Sequence, residues 1–397
     1  MLRLAVRMLL GEPARWMGVV LGVFFCTFLI THLLSMFSGM MERSYAIISD
    51  IPEADIWVMD PAVEYVDEPF GLPPTAMDRV RGVEGVSWAL PLYTGSQRAR
   101  MTSGALRPLL VIGVDDATLV GAPRDLTEGS LDDLRLSGGV IVDQASAEGL
   151  LRVPLHPQAR LPGWQPPQVT DETRPLGVGD ELLVNDQRLQ VVGVAKLTPR
   201  FMARPVVYTT YSRAVDISPR QRNLLSFVLV KAAEGKAPSE VARAIDARTG
   251  LRARTHEEFA GDTYWYYVRT TGVVARMGLM VGIGIAVGVS VSSLLLYLFT
   301  IDNERFYATF KALGATNATI ASMIAVQAVV CGATGYGLGV GTSSVIGTFV
   351  KTDAMPYILT AWTLLFTGVA VLVVCVVSAV LSAMRVFRLD PASVFNK

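Results

Sequence analysis

The sequence has little from which an active site could be built. Its three histidines, His32, His156 and His256, stand far apart, and its three cysteines, Cys26, Cys331 and Cys375, each lie inside an apolar run. Neither set has metal-ligand spacing, and no thiol is placed to staple an exported domain. His32 falls within the first apolar run and reads as a packed or interfacial imidazole. No G-x-x-x-x-G-K-[ST] stretch occurs. The nearest text, Glu234-Gly235-Lys236-Ala237, lacks the upstream glycine and the following hydroxyl, so a P-loop grip on ATP is excluded. G-x-S-x-G, H-E-x-x-H and Cys-His constellations are absent too, and the adjacent acidic pairs Asp115-Asp116, Asp132-Asp133 and Glu257-Glu258 read as solvated surface. Net charge is lacking as well: 35 basic residues balance 35 acidic ones, which removes the electrostatic case for nucleic acid. An enzyme reading has nothing to rest on.

What the chain does have is apolar residues, 51% of it, beside 18% charged ones. That is too apolar for a soluble globular protein and too charged for one lying wholly in a membrane, so the charge must be segregated. Residues 1–15 interleave Arg3, Arg7 and Arg15 with Leu2, Leu4, Val6, Leu9 and Leu10, which predicts a basic amphipathic helix on the cytoplasmic face. Residues 16–38 carry no charge and are long enough to cross the hydrocarbon core. They read as an uncleaved anchor, because the run exceeds a signal-peptide core and no clean small-x-small site follows.

From 39 to 269 the texture changes to that of an α+β domain of roughly 230 residues. Short β-type runs appear at 55–59, 109–114, 139–142, 181–184, 189–194 and 227–230, each bounded by Gly, Pro, Asn or Asp. Helices are expected at 74–80 and at 238–249, where Val241, Ile245 and Arg248 are spaced for one face. Residues 154–175 form a proline-dense loop carrying Trp164, which reads as a surface excursion or as a contact with an adaptor or with substrate.

Three apolar runs follow, and they predict spans at 270–301, 317–350 and 358–384. The first is longer than a bilayer needs and has Arg276 near its outer end, so it reads as a helix projecting above the membrane as a stalk. Residues 351–357 make a short outer loop and 385–397 a tail with Arg385, Arg388 and Lys397. The distribution of basic residues puts both termini inside and the 39–269 domain outside. Small residues recur at packing spacing, at Gly278/Gly282, Gly284/Gly288, Gly335/Gly339 and Gly337/Gly341. Such pairs suit contact within one bundle or between two subunits equally well.

Between the second and third spans lies a polar island, residues 302–316, reading DNERFYATFKALGAT. Asp302 suits an N-cap, Glu304 the first turn and Gly314 the C′ position. Phe306, Phe310 and Leu313 fall at i, i+4 and i+7, a single apolar stripe with no core of its own. That is the pattern of a helix docking into a partner's groove, the alternative being an amphipathic loop helix lying on the membrane surface.

Glu304-Arg305 followed by Phe310-Lys311-Ala312-Leu313-Gly314-Ala315-Thr316 resembles the "RE-x-G-x-L-K-A-L-G-A" segment of ABC-transporter permeases of the macrolide-efflux, cell-division and lipoprotein-release kind (MacB/FtsX/LolC-like). Aromatic Phe306, Tyr307 and Phe310 stand where small or aliphatic residues are usual. Leu176-Gly177-Val178-Gly179-Asp180-Glu181-Leu182 and Gln190-Val191-Val192-Gly193-Val194 resemble a strand pair of that family's periplasmic domain. Arg388-Leu389-Asp390-Pro391-Ala392 is similar to its ending, without the final arginine. Residues 51–61, IPEADIWVMDP, resemble exporters that work with a membrane-fusion adaptor, the DevC-like ones included.

The resemblance implies a bacterial inner-membrane protein with four transmembrane helices, both termini cytoplasmic, and a large α+β periplasmic domain inserted between helices 1 and 2. It implies a permease that binds no cofactor itself, ATP and Mg being held by a separate ATPase subunit. A second permease copy or homologue, a periplasmic membrane-fusion adaptor and membrane lipids are its other implied partners. The ATPase-coupling set would be Asp302, Asn303, Glu304, Arg305, Phe306, Phe310, Lys311, Leu313 and Gly314, the aromatics as anchors and the charges as rim contacts. The exported substrate would be a lipid, glycolipid, lipoprotein, peptide or drug-like molecule. The alternative output is a signal that activates a periplasmic cell-wall hydrolase, and a membrane-anchored sensor without any ATPase is a third possibility.

Overall fold

The computed structural model describes residues 7–9, 11, 13–155, 173–202, 204–219, 225–350 and 356–387. Most of the proline-dense loop with Trp164 and His156 lies outside the described residues. So do most of the loop between the last two spans, residues 1–6 and the tail beyond 387. The chain divides into two compact units, Met41–Thr270 and the remainder.

The Met41–Thr270 unit is built on a ten-stranded sheet. Its strands are β1 (Ile56–Met59), β2 (Val86–Arg100), β3 (Leu106–Val114), β4 (Leu126–Gly129), β5 (Gly139–Asp143), β8 (Glu181–Val184), β9 (Gln187–Ala195), β10 (Val206–Thr210), β11 (Phe227–Ala232) and β12 (Arg252–Thr255). Two further strands, β6 (Val153–Pro154) and β7 (Thr173–Arg174), make a separate small pair. The large sheet runs in the order β12-β1-β11-β2-β3-β10-β5-β9-β4, with β8 against β2 and β9.

Strand β2 belongs to both halves of this sheet. Val86–Leu92 pairs with β11, and Tyr93–Arg100 pairs with β3. Pro91 and Gly95 break its β pattern in the sequence, which is why this longest strand was not legible there. One half buries Ile56, Val58, Val228 and Val230 under two helices, α3 (Thr75–Arg81) and α6 (Pro238–Thr249). On α6 the buried face is Val241, Ala242, Ile245 and Thr249, while Arg248 lies exposed, so the expected stripe is shifted off the arginine. The opposite face of the sheet holds the large aromatics: Trp57 is fully buried, 5.4 Å from Phe227 and 5.7 Å from Phe259 between ring centres. The remaining short helices are α2 (Ala46–Ser49), α4 (Gln144–Glu148) and α5 (Tyr211–Asp216), and α7 (His256–Thr270) closes the unit.

Among the described residues, four helices are long and apolar enough to cross a membrane: α1 (Pro13–Ser44), α8 (Val273–Asp302), α10 (Asn317–Val350) and α11 (Ala361–Phe387). Their spanning portions, Trp16–Ser44, Val273–Asp302, Asn317–Phe349 and Ala361–Met384, each exceed the roughly 20 residues a bilayer demands. Helix α1 runs on to Ser44, beyond the 16–38 anchor expected of it. The second span begins three residues later than the 270 expected of it. Gly272 sits at φ 65°, a left-handed conformation that glycine takes without strain, so the helix starts at Val273 and α7 is separate from it.

The structure sorts the small-residue pairs. A side chain on Gly288 would strike Cys26 of α1, and one on Gly284 would touch Ile30 and Leu29. A Cβ at Gly335 would come within 2.7 Å of Val23, and one at Gly339 within 2.6 Å of Thr27. These four glycines let α8 and α10 close on α1. Gly278, Gly282, Gly337 and Gly341 face open space.

Candidate functional site

The polar island folds as helix α9 (Glu304–Ala312), one residue after α8 ends. Asp302 is not its N-cap. It is the last residue of α8, and the boundary position belongs to Asn303 at φ −95°, ψ 13°. Asn303 is buried and gives its Nδ2 to the Phe299 carbonyl at 3.0 Å, so its side chain closes the end of α8 instead of opening α9. Cap rules locate a polar residue beside a helix, and they do not tell which of two abutting helices it serves.

The other end is a Schellman turn. Gly314 sits at φ 94°; its N–H donates to Lys311 O at 3.1 Å, and that of Ala315 donates to Phe310 O at 2.9 Å.

Helix α9 has two faces. Tyr307 is fully buried among Leu296, Ile320, Ile324 and Ala328, and its hydroxyl donates to Gln327 Oε1 at 3.1 Å. Burial pushes the Tyr307 phenol up to about 12, so it stays a donor. Ala308 is buried beside it. The opposite face presents Phe306, 58% exposed, and Leu313, 79% exposed, with Phe310 half-buried between them and Arg305 and Glu304 alongside. Lys311 gives its Nζ to the Phe387 carbonyl at 3.2 Å, at the end of α11. The helix is thereby fastened to α8 through Asn303, to α10 through Tyr307 and to α11 through Lys311.

The nine residues singled out in the sequence thus divide. Phe306, Leu313, Arg305, Glu304 and part of Phe310 form an outer surface, Asn303, Lys311 and Gly314 hold the helix in place, and Asp302 ends α8. The residue that sequence reasoning passed over is Tyr307. Its signal was Gln327, a lone amide in an apolar run that needed a partner.

A second fastening lies where α11 begins. Ile358 N–H donates to Ser35 O of α1 at 3.0 Å, and Tyr357 Oη lies 3.0 Å from Ser343 Oγ of α10. The Tyr357 ring fills the space where Gly347 lacks a side chain, and a Cβ at Gly39 would come within 2.9 Å of Pro356. Among the described residues, no group of His, Cys, Asp and Glu is placed to hold a metal ion.

Residues 17–248 match the sequence model of the MacB-like periplasmic core domain, and residues 278–391 that of the FtsX-like permease C-terminal region. The chain belongs to the MacB/FtsX-like family of ABC-transporter permeases. In this permease the family's two parts correspond to a sheet domain inserted after the first span and a bundle that holds helix α9. The family is that of non-catalytic permease components that generally work with an ATPase, and this chain is an inner-membrane protein with a periplasmic domain.

No curated protein matches the sequence. Among solved structures, the chain is similar to the extracellular domain of the noncanonic ABC-type transporter YknZ from Gram-positive bacteria, at 16% identity and TM-score 0.31, covering 51% of this chain and 98% of that one. It is also similar to the periplasmic region of MacB from Actinobacillus actinomycetemcomitans, at 12% identity and TM-score 0.36, covering 53% and 92%. A domain of a permease protein from Porphyromonas gingivalis aligns at 13% identity and TM-score 0.33, covering 52% and 90%.

Proposed function

We propose that this permease couples ATP hydrolysis on a separate ATPase subunit to movement of its periplasmic domain, and thereby exports a lipid, glycolipid, lipoprotein, peptide or drug-like molecule. The observation that carries the proposal is the two-faced helix α9. Its outer stripe of Phe306, Phe310 and Leu313 has the form of a peg for a groove on the ATPase, and its inner face is tied to three spans. A push on the peg reaches α8, α10 and α11 through direct hydrogen bonds and close packing, which transmit displacement because packed interiors yield little.

In this reading both termini and α9 are cytoplasmic, and ATP and Mg stay on the partner. A second permease copy packs on the open faces at Gly278/Gly282 and Gly337/Gly341, and a membrane-fusion adaptor meets the periplasmic domain. The spans carry no charged residue at mid-depth, which supports work done on the periplasmic side or outer leaflet over passage through a polar pore. The size of the Met41–Thr270 unit favours a platform for substrate or adaptor over a hydrolase switch.

The test is affinity purification from native membranes, comparing wild type with Phe306→Asp and Leu313→Asp. Both side chains are exposed, so neither change disturbs the fold. Burying an aspartate in a partner groove should cost about 2 kcal/mol or more, roughly a thirtyfold loss of ATPase capture. Recovery of the same amount of ATPase with wild type and variants, or none with either, would sink the proposal.

A further inference from the structure

Strand β2 changes partners along one edge. Up to Leu92 that edge is covered by β11, and at Ala99 and Arg100 by β8. Between them is a stretch centred on Ser96 that no described strand covers. The direction of its peptide groups follows from the ladder on the other side. Leu110 gives its N–H to Pro205 O at 2.8 Å, away from β2, so Leu109 and Val111 are the β3 residues whose peptides face β2, opposite Gln97 and Gly95. Peptide directions alternate, so those of Thr94 and Ser96 face the uncovered edge. Thr94 agrees: its N–H donates to Ser226 Oγ at 2.9 Å, and that hydroxyl donates back to Thr94 O at 3.1 Å. Ser226 imitates a paired strand for one residue, and the Ser96 N–H and C=O come next with no described partner.

A cavity of 470 Å³ lies over this edge, with Pro69, Phe70, Thr94, Ser96, Gln97 and Ser226 among its walls. That is within the range of small-ligand sites. Thr94 is 6% exposed, yet its Oγ1 has no hydrogen-bond partner, an orphan that an incoming polar group would satisfy. Gln97 is held by Tyr93, Ser218 and Asn185 at 3.0, 3.2 and 3.0 Å, so that wall is rigid before anything binds. On the same face of β2 as Thr94 and Ser96, Arg98 and Arg100 follow at alternate positions. Both are exposed, and neither forms an ion pair among the described residues.

We propose that this notch binds an extended, acidic polypeptide segment as an added strand, its main chain paired with Ser96 and its carboxylates beside Arg98 and Arg100. Main-chain pairing supplies the adhesion, and the alternate side chains, one toward Phe70, supply the selection. Nothing in this site depends on coupling to an ATPase.

The experiment uses the full-length protein in nanodiscs of neutral lipid and a fluorescein-labelled octapeptide of alternating Val and Glu, read by anisotropy. Saturable binding is expected, at least about tenfold tighter than to the alternating Val and Lys octapeptide, and at least about tenfold weaker for Arg98→Glu/Arg100→Glu. N-methylating the peptide backbone at alternate residues separates strand pairing from charge attraction. One register of methylation should abolish binding and the other should leave it largely intact. The proposal is overturned if wild type shows no saturable binding, if the charge-reversed protein binds unchanged, or if both methylated registers behave alike. Capture of the ATPase by Arg98→Glu/Arg100→Glu should equal wild type, so failure here leaves the coupling proposal standing, and the reverse.

Discussion

Two tyrosines fasten the third span at two separate levels, and the segments that carry them differ in what lies on their other side. Tyr307 reaches Gln327 and Tyr357 reaches Ser343, positions about 24 Å apart along α10. Both rings are buried, both hydroxyls find a polar partner in the span, and both carriers also touch other spans. The difference lies on the other side. Tyr307 sits on a capped helix whose far face exposes Phe306 and Leu313, whereas the short Pro356–Tyr357–Ile358 stretch exposes no large apolar side chain. An anchor with a second face can receive force from a partner. An anchor without one can only hold.

The sharpest way to break that comparison is to remove each ring. Tyr307→Ala should destabilise the detergent-solubilised protein by about 3–5 kcal/mol and abolish ATPase capture as well. Tyr357→Ala should cost a similar amount in thermal unfolding while capture persists in the folded fraction. If both variants lose capture equally, the distinction between entry and latch is wrong.

Next in size is Gly347→Val, which forces the Tyr357 ring out of its place and should cost about 1–3 kcal/mol, again by thermal unfolding. Gly337→Val, with open space around it, should stay within about 0.5 kcal/mol of wild type. Should Gly337→Val instead shift the protein from dimer to monomer by light scattering, the open face is a subunit contact.

Smaller still is the hydroxyl term. A double-mutant cycle of Tyr357→Phe with Ser343→Ala should give a coupling of about 0.6 kcal/mol, and the Tyr307→Phe cycle with Gln327→Leu should exceed it.

The smallest effect lies in the periplasmic unit and is pH-dependent. Burial works against the charge of Asp180, but the Arg174 guanidinium at 2.6 Å and the Gly177 N–H outweigh it and hold the carboxyl below its usual range. A depressed folded pKa contributes stability above the unfolded value, near 4, that is lost as pH falls through the folded value. Asp180→Asn should therefore lower stability at pH 7 by an amount that shrinks below about pH 4, measured by denaturant unfolding across that range.

Much of this was legible in the chain itself. The strand at Ile56–Met59 and the helix at Pro238–Thr249 announce themselves, because turn residues bound a continuous apolar run in the first and an amphipathic pattern in the second. Strand β2 did not, since Pro91 and Gly95 sit inside it, close to where its pairing with β11 ends. At the candidate site, Gly314 was legible from the αL conformation a helix end favours. The role of Tyr307 was hidden, because beside Phe306 in the chain it reads as one more aromatic of the segment, with nothing local to separate it from the Phe306–Phe310–Leu313 stripe. A helical period says which residues share a face, and it is silent on which face meets another span.

The sequence by itself determined the segregation of apolar from charged residues, the four long runs and the stripe on α9, because hydropathy and periodicity are properties of the local chain. Only the tertiary structure decided which glycines close on α1 and which stay open, that Asn303 serves α8, and that Ser96 faces an edge no described strand covers. Each of these depends on residues far away in the chain, whose position no local pattern encodes.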